Sequence, residues 1–189
     1  MDVGGGTTDI AVINDGGVQG TKMFGIGGRA YTRSIERELG VSFTQAEALK
    51  ISLNQGDVPQ SKAPLIDGAL RKTLDVWASG VELALGEFEN KLDHLPHRIF
   101  LCGGGSSLDM LMERLEGTNW YGDLPFTRRP IVEHIQPDQV EGIHDATGDV
   151  TDHTYITALG LLRVGADTLQ FSTAGNDSVR EKIDKMLRV

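Results

Sequence analysis

The chain has 189 residues, 39% hydrophobic and 6% aromatic, enough for one domain with a real core or for a domain plus a small subdomain. Its net charge of −9 speaks against nucleic acid as a partner, because phosphate backbones need a basic surface. Cys102 is the only cysteine, which excludes an internal disulfide and a cysteine-based zinc site and fits a reducing cytoplasm. No signal peptide is visible after Met1, and no apolar run is long enough to span a bilayer.

In chain order, Asp9–Ile13 is rich in β-branched residues and predicts a strand. Asn14-Asp15-Gly16-Gly17 is a hairpin turn signal, since Asn and Gly tolerate positive φ, and Val18–Phe24 is the return strand. Gly25, Gly27 and Gly28 open a helix that ends at Gly40. Thr44 with Glu47 reads as a capping box for a second helix over 44–52. A polar loop follows, and Pro64 starts a long helix whose apolar positions run from Leu70 through Trp77 and Val81 to Phe88 and Leu92. Arg98–Cys102 predicts a short buried strand, 107–116 a helix and Ile131–Ile135 another strand. Residues 136–152 read as an acidic loop, Tyr155–Val164 as an apolar helix and 176–187 as an amphipathic one. Strands alternate with helices, so the fold class is α/β.

Glycine is clustered. In Asp2-Val3-Gly4-Gly5-Gly6-Thr7-Thr8-Asp9 the bare backbone lets N–H groups turn toward an anion. Thr7 adds a hydroxyl, and the carboxylates of Asp2 and Asp9 suit Mg²⁺, which usually holds phosphates through one or two carboxylates and water. These residues describe a phosphate-and-magnesium loop, although an ordinary glycine turn has the same composition. The second cluster, Gly103-Gly104-Gly105-Ser106, stands at a strand–helix junction, where bare amides attract anions or polar ligand edges. Glu47 and Lys50 lie one helical turn apart on one face, a spacing that a solvated salt bridge would also have.

The two loops in this order carry a resemblance. The first resembles the second phosphate motif of the actin and heat-shock chaperone ATPases. Ile99-Phe-Leu-Cys-Gly-Gly-Gly-Ser resembles their adenosine motif, and Tyr155-Ile-Thr-Ala-Leu-Gly-Leu-Leu the helix that follows it. Gly27-Gly28, Ile35, Leu39-Gly40-Val41 and Ala46–Lys50 are similar to the FtsA and PilM pattern after the hairpin. The resemblance covers about residues 1–166 and implies the C-terminal half of an actin-like ATPase. Its IIA-like subdomain would span 1–32 and 64–166 as a mixed sheet with flanking helices. A reduced helical IIB-like insertion would span 33–63, and a linker with an amphipathic helix 167–189.

It further implies ATP and Mg²⁺ as ligands. Asp2 would orient the attacking and Mg²⁺-bound water, and Asp9 would join the metal shell. Gly4, Gly5, Gly6 and Thr7 would hold phosphates. Glu47, Lys50, Gly103, Gly104, Gly105 and Ser106 would face the adenosine. The implied setting is bacterial cell division or pilus and envelope assembly in the cytoplasm, peripheral to the inner face of the membrane, with self-association or filaments and a division or pilus-assembly partner. The alternative is an interaction adaptor with a vestigial nucleotide site. The superfamily closes its cleft with an earlier Asp-x-Gly-Thr motif that these residues do not contain, so the chain alone is expected to have little ATPase activity. The short insertion also makes the FtsA partner a poor carry-over.

Gly25-Ile26-Gly27-Gly28-Arg29-Ala30 also matches Gly-x-Gly-x-x-Ala, a dinucleotide fingerprint that needs a following helix and parallel strand. An antiparallel hairpin before it and a helix pair after it argue against that. The five histidines read as surface residues. In 176–187, Val179, Ile183, Met186 and Leu187 form an apolar stripe without aromatics, so membrane contact there is expected to be weak.

Overall fold

The computed structural model describes residues 1–117 and 120–172, apart from the side chains of Asn54 and residues 170–172. The expected tail helix at 176–187 lies outside the described residues. The chain divides into two compact units, Met1–His134 and Ile135–Val189.

In the first unit, β1 (Asp2–Val3), β2 (Thr8–Asn14) and β3 (Gly17–Phe24) form an antiparallel meander. Asp15 and Gly16 take positive φ (50° and 74°), the turn conformation that matches strand twist in tight hairpins. β4 (Arg98–Leu101) and β5 (Ile131–His134) pair in parallel. A parallel bridge between Asp2 and Cys102 joins β1 to β4. In it the Val3 N–H donates to Cys102 O and the Cys102 N–H to Met1 O, each at 2.9 Å. Antiparallel and parallel pairs therefore coexist, as a mixed sheet requires.

Helices α1 (Gly28–Leu39) and α3 (Ala63–Gly86) pack on each other, and α2 (Phe43–Asn54) packs on α1. The buried side of α3 carries Ile66, Leu70, Leu74, Trp77, Ala78, Val81 and Leu85 at helical spacing. Trp77 is fully buried. Its indole N–H donates to Thr8 Oγ1 at 2.9 Å, and that hydroxyl donates to Ile26 O at 2.7 Å. This chain satisfies the buried polar groups and fastens α3 to the hairpin just before Gly27. Gly40 closes α1 with φ 61°, the left-handed conformation expected of it.

Several expected boundaries move. The capping box of α2 is Ser42 with Gln45, not Thr44 with Glu47. The Ser42 side chain accepts from Gln45 N while Gln45 Oε1 accepts from Ser42 N at 3.0 Å. Ala46 and Lys50, four residues apart, lie on its buried side, and Glu47 pairs with Lys50 and Thr32. α3 stops at Gly86, so Phe88 and Leu92 lie in the turns after it. Phe88 is still buried, because its ring lies against Gly20 of β3, a position that leaving the helix allows it to reach. The helix expected over 107–116 is a 3-10 turn, Gly104–Ser107, followed by α4 (Asp109–Glu116).

In the second unit, 3-10 turns at Pro137–Gln139 and His153–Tyr155 flank the acidic loop, and α5 (Ile156–Ser172) continues past Val164. Asp145 organises the loop by accepting from Thr147 Oγ1 at 2.6 Å, Thr147 N at 2.8 Å and Val150 N at 3.1 Å. These bonds hold its carboxyl down to about 2. On α5, Leu159 is buried, while Leu161, Leu162, Val164 and Leu169 are exposed. Among the described residues no helix is long and apolar enough to cross a membrane.

Candidate nucleotide site

The two glycine loops meet at the end of β1. The first is a tight turn closed by Gly4 N–H donating to Thr7 O at 2.9 Å. α1 begins against it. The Gly28 N–H donates to Gly4 O and the Arg29 N–H to Gly5 O, each at 2.8 Å. The loop carbonyls thus satisfy first-turn amides of α1, which has no side-chain cap. Gly27 makes this approach feasible, since a Cβ on it would stand 2.5 Å from Gly4 O and 2.8 Å from Thr7 N.

The amides of Gly5, Gly6 and Thr7, by contrast, meet no acceptor among the described residues. Asp2 and Asp9 are direct partners across the β1–β2 pair, so both carboxylates leave the same face of the sheet beside the turn. Thr7 Oγ1 donates to Asp9 Oδ2 at 3.0 Å. Among the described residues no three His, Cys, Asp or Glu side chains cluster as a metal cage. The carboxylates of Asp2 and Asp9 would suit a magnesium ion, which usually takes one or two carboxylates beside phosphate.

The second loop leaves β4 at Gly103 with φ 83° and is pressed onto the first. A Cβ on Gly103 would collide with Asp2 Oδ1 and Val3 O, and one on Gly105 would lie 2.7 Å from Val3 O and 2.9 Å from Gly4 O. Gly104, exposed between them, has nothing within 4 Å of its Cβ position. Ser106 is fully buried, and its hydroxyl donates to Gly103 O at 2.7 Å. His134 at the end of β5 lies with Nε2 3.0 Å from Ser106 O. Ser106 therefore shapes the loop from inside rather than presenting its hydroxyl at the surface.

Glu47 and Lys50 reach the same place from α2. Lys50 Nζ donates to Gly28 O at 3.2 Å and Thr32 Oγ1 at 3.0 Å, and pairs with Glu47 Oε2 at 2.9 Å. Thr32 also bonds Glu47. A Cβ on Gly28 would be 3.6 Å from both Lys50 Nζ and the Cα of Gly105. The ion pair is thus anchored on Gly28, whose Cβ position lies near both loops, and Lys50 is buried, unlike a solvated helix pair. Partial burial would raise the Glu47 carboxyl, but the bonds from Thr32 and Lys50 and the ammonium charge outweigh it and hold it below its ordinary value.

The sequence motifs did not single out Thr32 or Arg29. Arg29 lies over the first loop, its Nη1 3.3 Å from the Cβ position of Gly5. A cation in the first turn of a helix opposes the helix dipole, and that mismatch was a readable signal. A depression of about 1000 Å³ lies elsewhere, between α1 and α3, and is lined by Arg33, Arg37, Phe43, Lys72 and Val76 among others.

A comparison with curated proteins finds no match. Solved structures do match. The PilM–PilN type IV pilus biogenesis complex aligns with a TM-score of 0.63 at 19% identity, over 85% of this chain and 43% of that one. Ethanolamine utilization protein EutJ from Carboxydothermus hydrogenoformans aligns with a TM-score of 0.53 at 22% identity, over 86% of this chain and 47% of that one. At these identities the likeness shows the fold alone, and the chain spans less than half the length of either structure. The family model of the cell division protein FtsA matches residues 1–160. Most of the chain is covered by that match, and the paired glycine loops sit on the same fold, so the chain belongs to the FtsA family of actin-like ATPases.

Proposed function

We propose that this chain is an ATP- and Mg²⁺-binding half of an FtsA-family protein acting in bacterial cell division or pilus and envelope assembly. The observation that carries the reading is the turn at Gly4–Thr7, where the amides of Gly5, Gly6 and Thr7 meet no acceptor among the described residues, beside the paired carboxylates of Asp2 and Asp9. Gly4, Gly5, Gly6 and Thr7 hold the phosphates in this reading. Asp2 and Asp9 would hold the metal, and Asp2 would also position water. Bound Mg²⁺ would neutralise phosphate charge. Glu47, Lys50 and Gly104 face the nucleoside, while Gly103 and Gly105 hold the second loop against the first and Ser106 keeps it in shape.

Because the superfamily closes its cleft from another half, the chain alone should bind weakly, with a Kd of roughly a millimolar, and turn over little ATP. The amides of Gly5, Gly6, Thr7 and Gly104 should shift in an NMR titration with Mg-ATP, and those of the second unit's acidic loop should not. A titration that leaves the glycine amides unmoved would favour the second reading, an adaptor with a vestigial site. One observation supports that alternative: Leu65, Val76 and Leu83 share one exposed stripe on α3, as a partner-binding helix would present. The PilM relative is found complexed with PilN. We extend to this chain self-association and an envelope- or division-type protein partner, at the cytoplasmic face of the membrane.

A further inference from the structure

Arg29 is unusual on several counts. It occupies the first turn of α1, where its charge works against the helix dipole. It is exposed, so it does not serve the core. No carboxylate lies within ion-pair distance of it among the described residues. Its guanidinium nevertheless folds back onto the first loop, with Nη1 3.3 Å and Nη2 2.5 Å from the Cβ positions of Gly5 and Gly6. Those same residues carry amides that meet no acceptor among the described residues. A guanidinium and a row of N–H dipoles repel one another, and a multiply charged anion between them turns the arrangement favourable.

Position along the loop says which part of the anion is concerned. Lys50 bonds Gly28, whose Cβ position is 3.6 Å from the Cα of Gly105, whereas Arg29 lies at the Gly5–Gly6 tip. With the nucleoside at Gly104 and Lys50, as in the reading above, a phosphate chain that follows the loop would end at the tip, beside Arg29. We propose that Arg29 contacts the terminal phosphate and makes the site discriminate ATP from ADP. This rests on the nucleotide reading above and goes beyond it by assigning the triphosphate selectivity to one side chain.

The test compares Mg-ATP and Mg-ADP binding to the 189-residue chain and to Arg29→Ala, Arg29→Gln and Arg29→Lys, by NMR titration. Losing a charge-assisted contact to phosphate should weaken ATP binding about tenfold in Arg29→Ala and leave ADP within about twofold. Arg29→Gln, which keeps length without charge, should lose selectivity in the same way. Arg29→Lys should keep part of it, because an ammonium supplies the charge without the planar fork. An unchanged ATP-to-ADP ratio in Arg29→Ala and Arg29→Gln, or an equal loss for both nucleotides, would overturn the Arg29 assignment while leaving the site reading standing. Failure of the unaltered chain to bind either nucleotide would overturn the site reading, and the assignment with it.

Discussion

The two glycine loops look alike as sequence and differ as structures. Gly103 and Gly105 are buried, and Asp2, Val3 and Gly4 fill the space a side chain would need. The fold itself demands those glycines. Gly5 and Gly6 are different. Neither has positive φ, and their Cβ positions meet only the flexible end of Arg29. Gly104 meets nothing at all. Packing does not require glycine at these positions, so bare backbone there is available for close approach of a ligand. One run of glycines thus contains two kinds, those that weld the loops together and those that leave the surface open.

The sharpest way to break this comparison is Gly103→Ala. It combines a strained φ of 83° with a clash against Asp2 and Val3. We expect a loss of about 3 kcal/mol in denaturant unfolding, from left-handed strain plus overpacking. A loss below about 1 kcal/mol would mean that the loops are not welded.

Gly104→Ala should do the reverse. Stability should stay within about 0.5 kcal/mol, as for an unobstructed surface position. Affinity for Mg-ATP should fall several-fold, read by the same NMR titration. If unfolding instead tracked Gly103→Ala, the division into welded and open glycines would be wrong.

The smallest effect concerns the ion pair that fastens α2 to Gly28. The folded state holds the Glu47 carboxyl below its ordinary 4.5. Its contribution is therefore present above that value and is lost as pH falls through the lower folded one. Glu47 is partly exposed, so screening keeps the contribution modest. Glu47→Gln should be less stable than the unaltered chain at pH 7, and the gap should close in acid. A gap independent of pH would show that Glu47 acts by packing and not by charge.

Much of the architecture was legible in the sequence because it depends on neighbours along the chain. The Asn14–Gly17 turn, the left-handed Gly40 and the helical stripe of α3 follow from local conformational preference and periodicity. The misjudged boundaries arose where distant contacts competed. Phe88 fits the helical period of α3, yet it packs against Gly20 from beyond the helix end. Thr44 and Glu47 have capping-box spacing, yet Thr32 and Lys50 engage Glu47, and Ser42 with Gln45 caps the helix.

The site divides along the same line. The sequence by itself determined the chemistry of the parts: flexible glycines, a hydroxyl, paired carboxylates and a Glu–Lys pair one turn apart, because residue type and short spacing carry that information. Only the tertiary structure decided their arrangement. It brought Gly105 against Gly4, turned the Ser106 hydroxyl inward, buried Lys50 against Gly28 and laid Arg29 over Gly5 and Gly6. Each of these depends on segments far apart in the chain meeting at a few ångströms, and spacing along the sequence does not encode such distances.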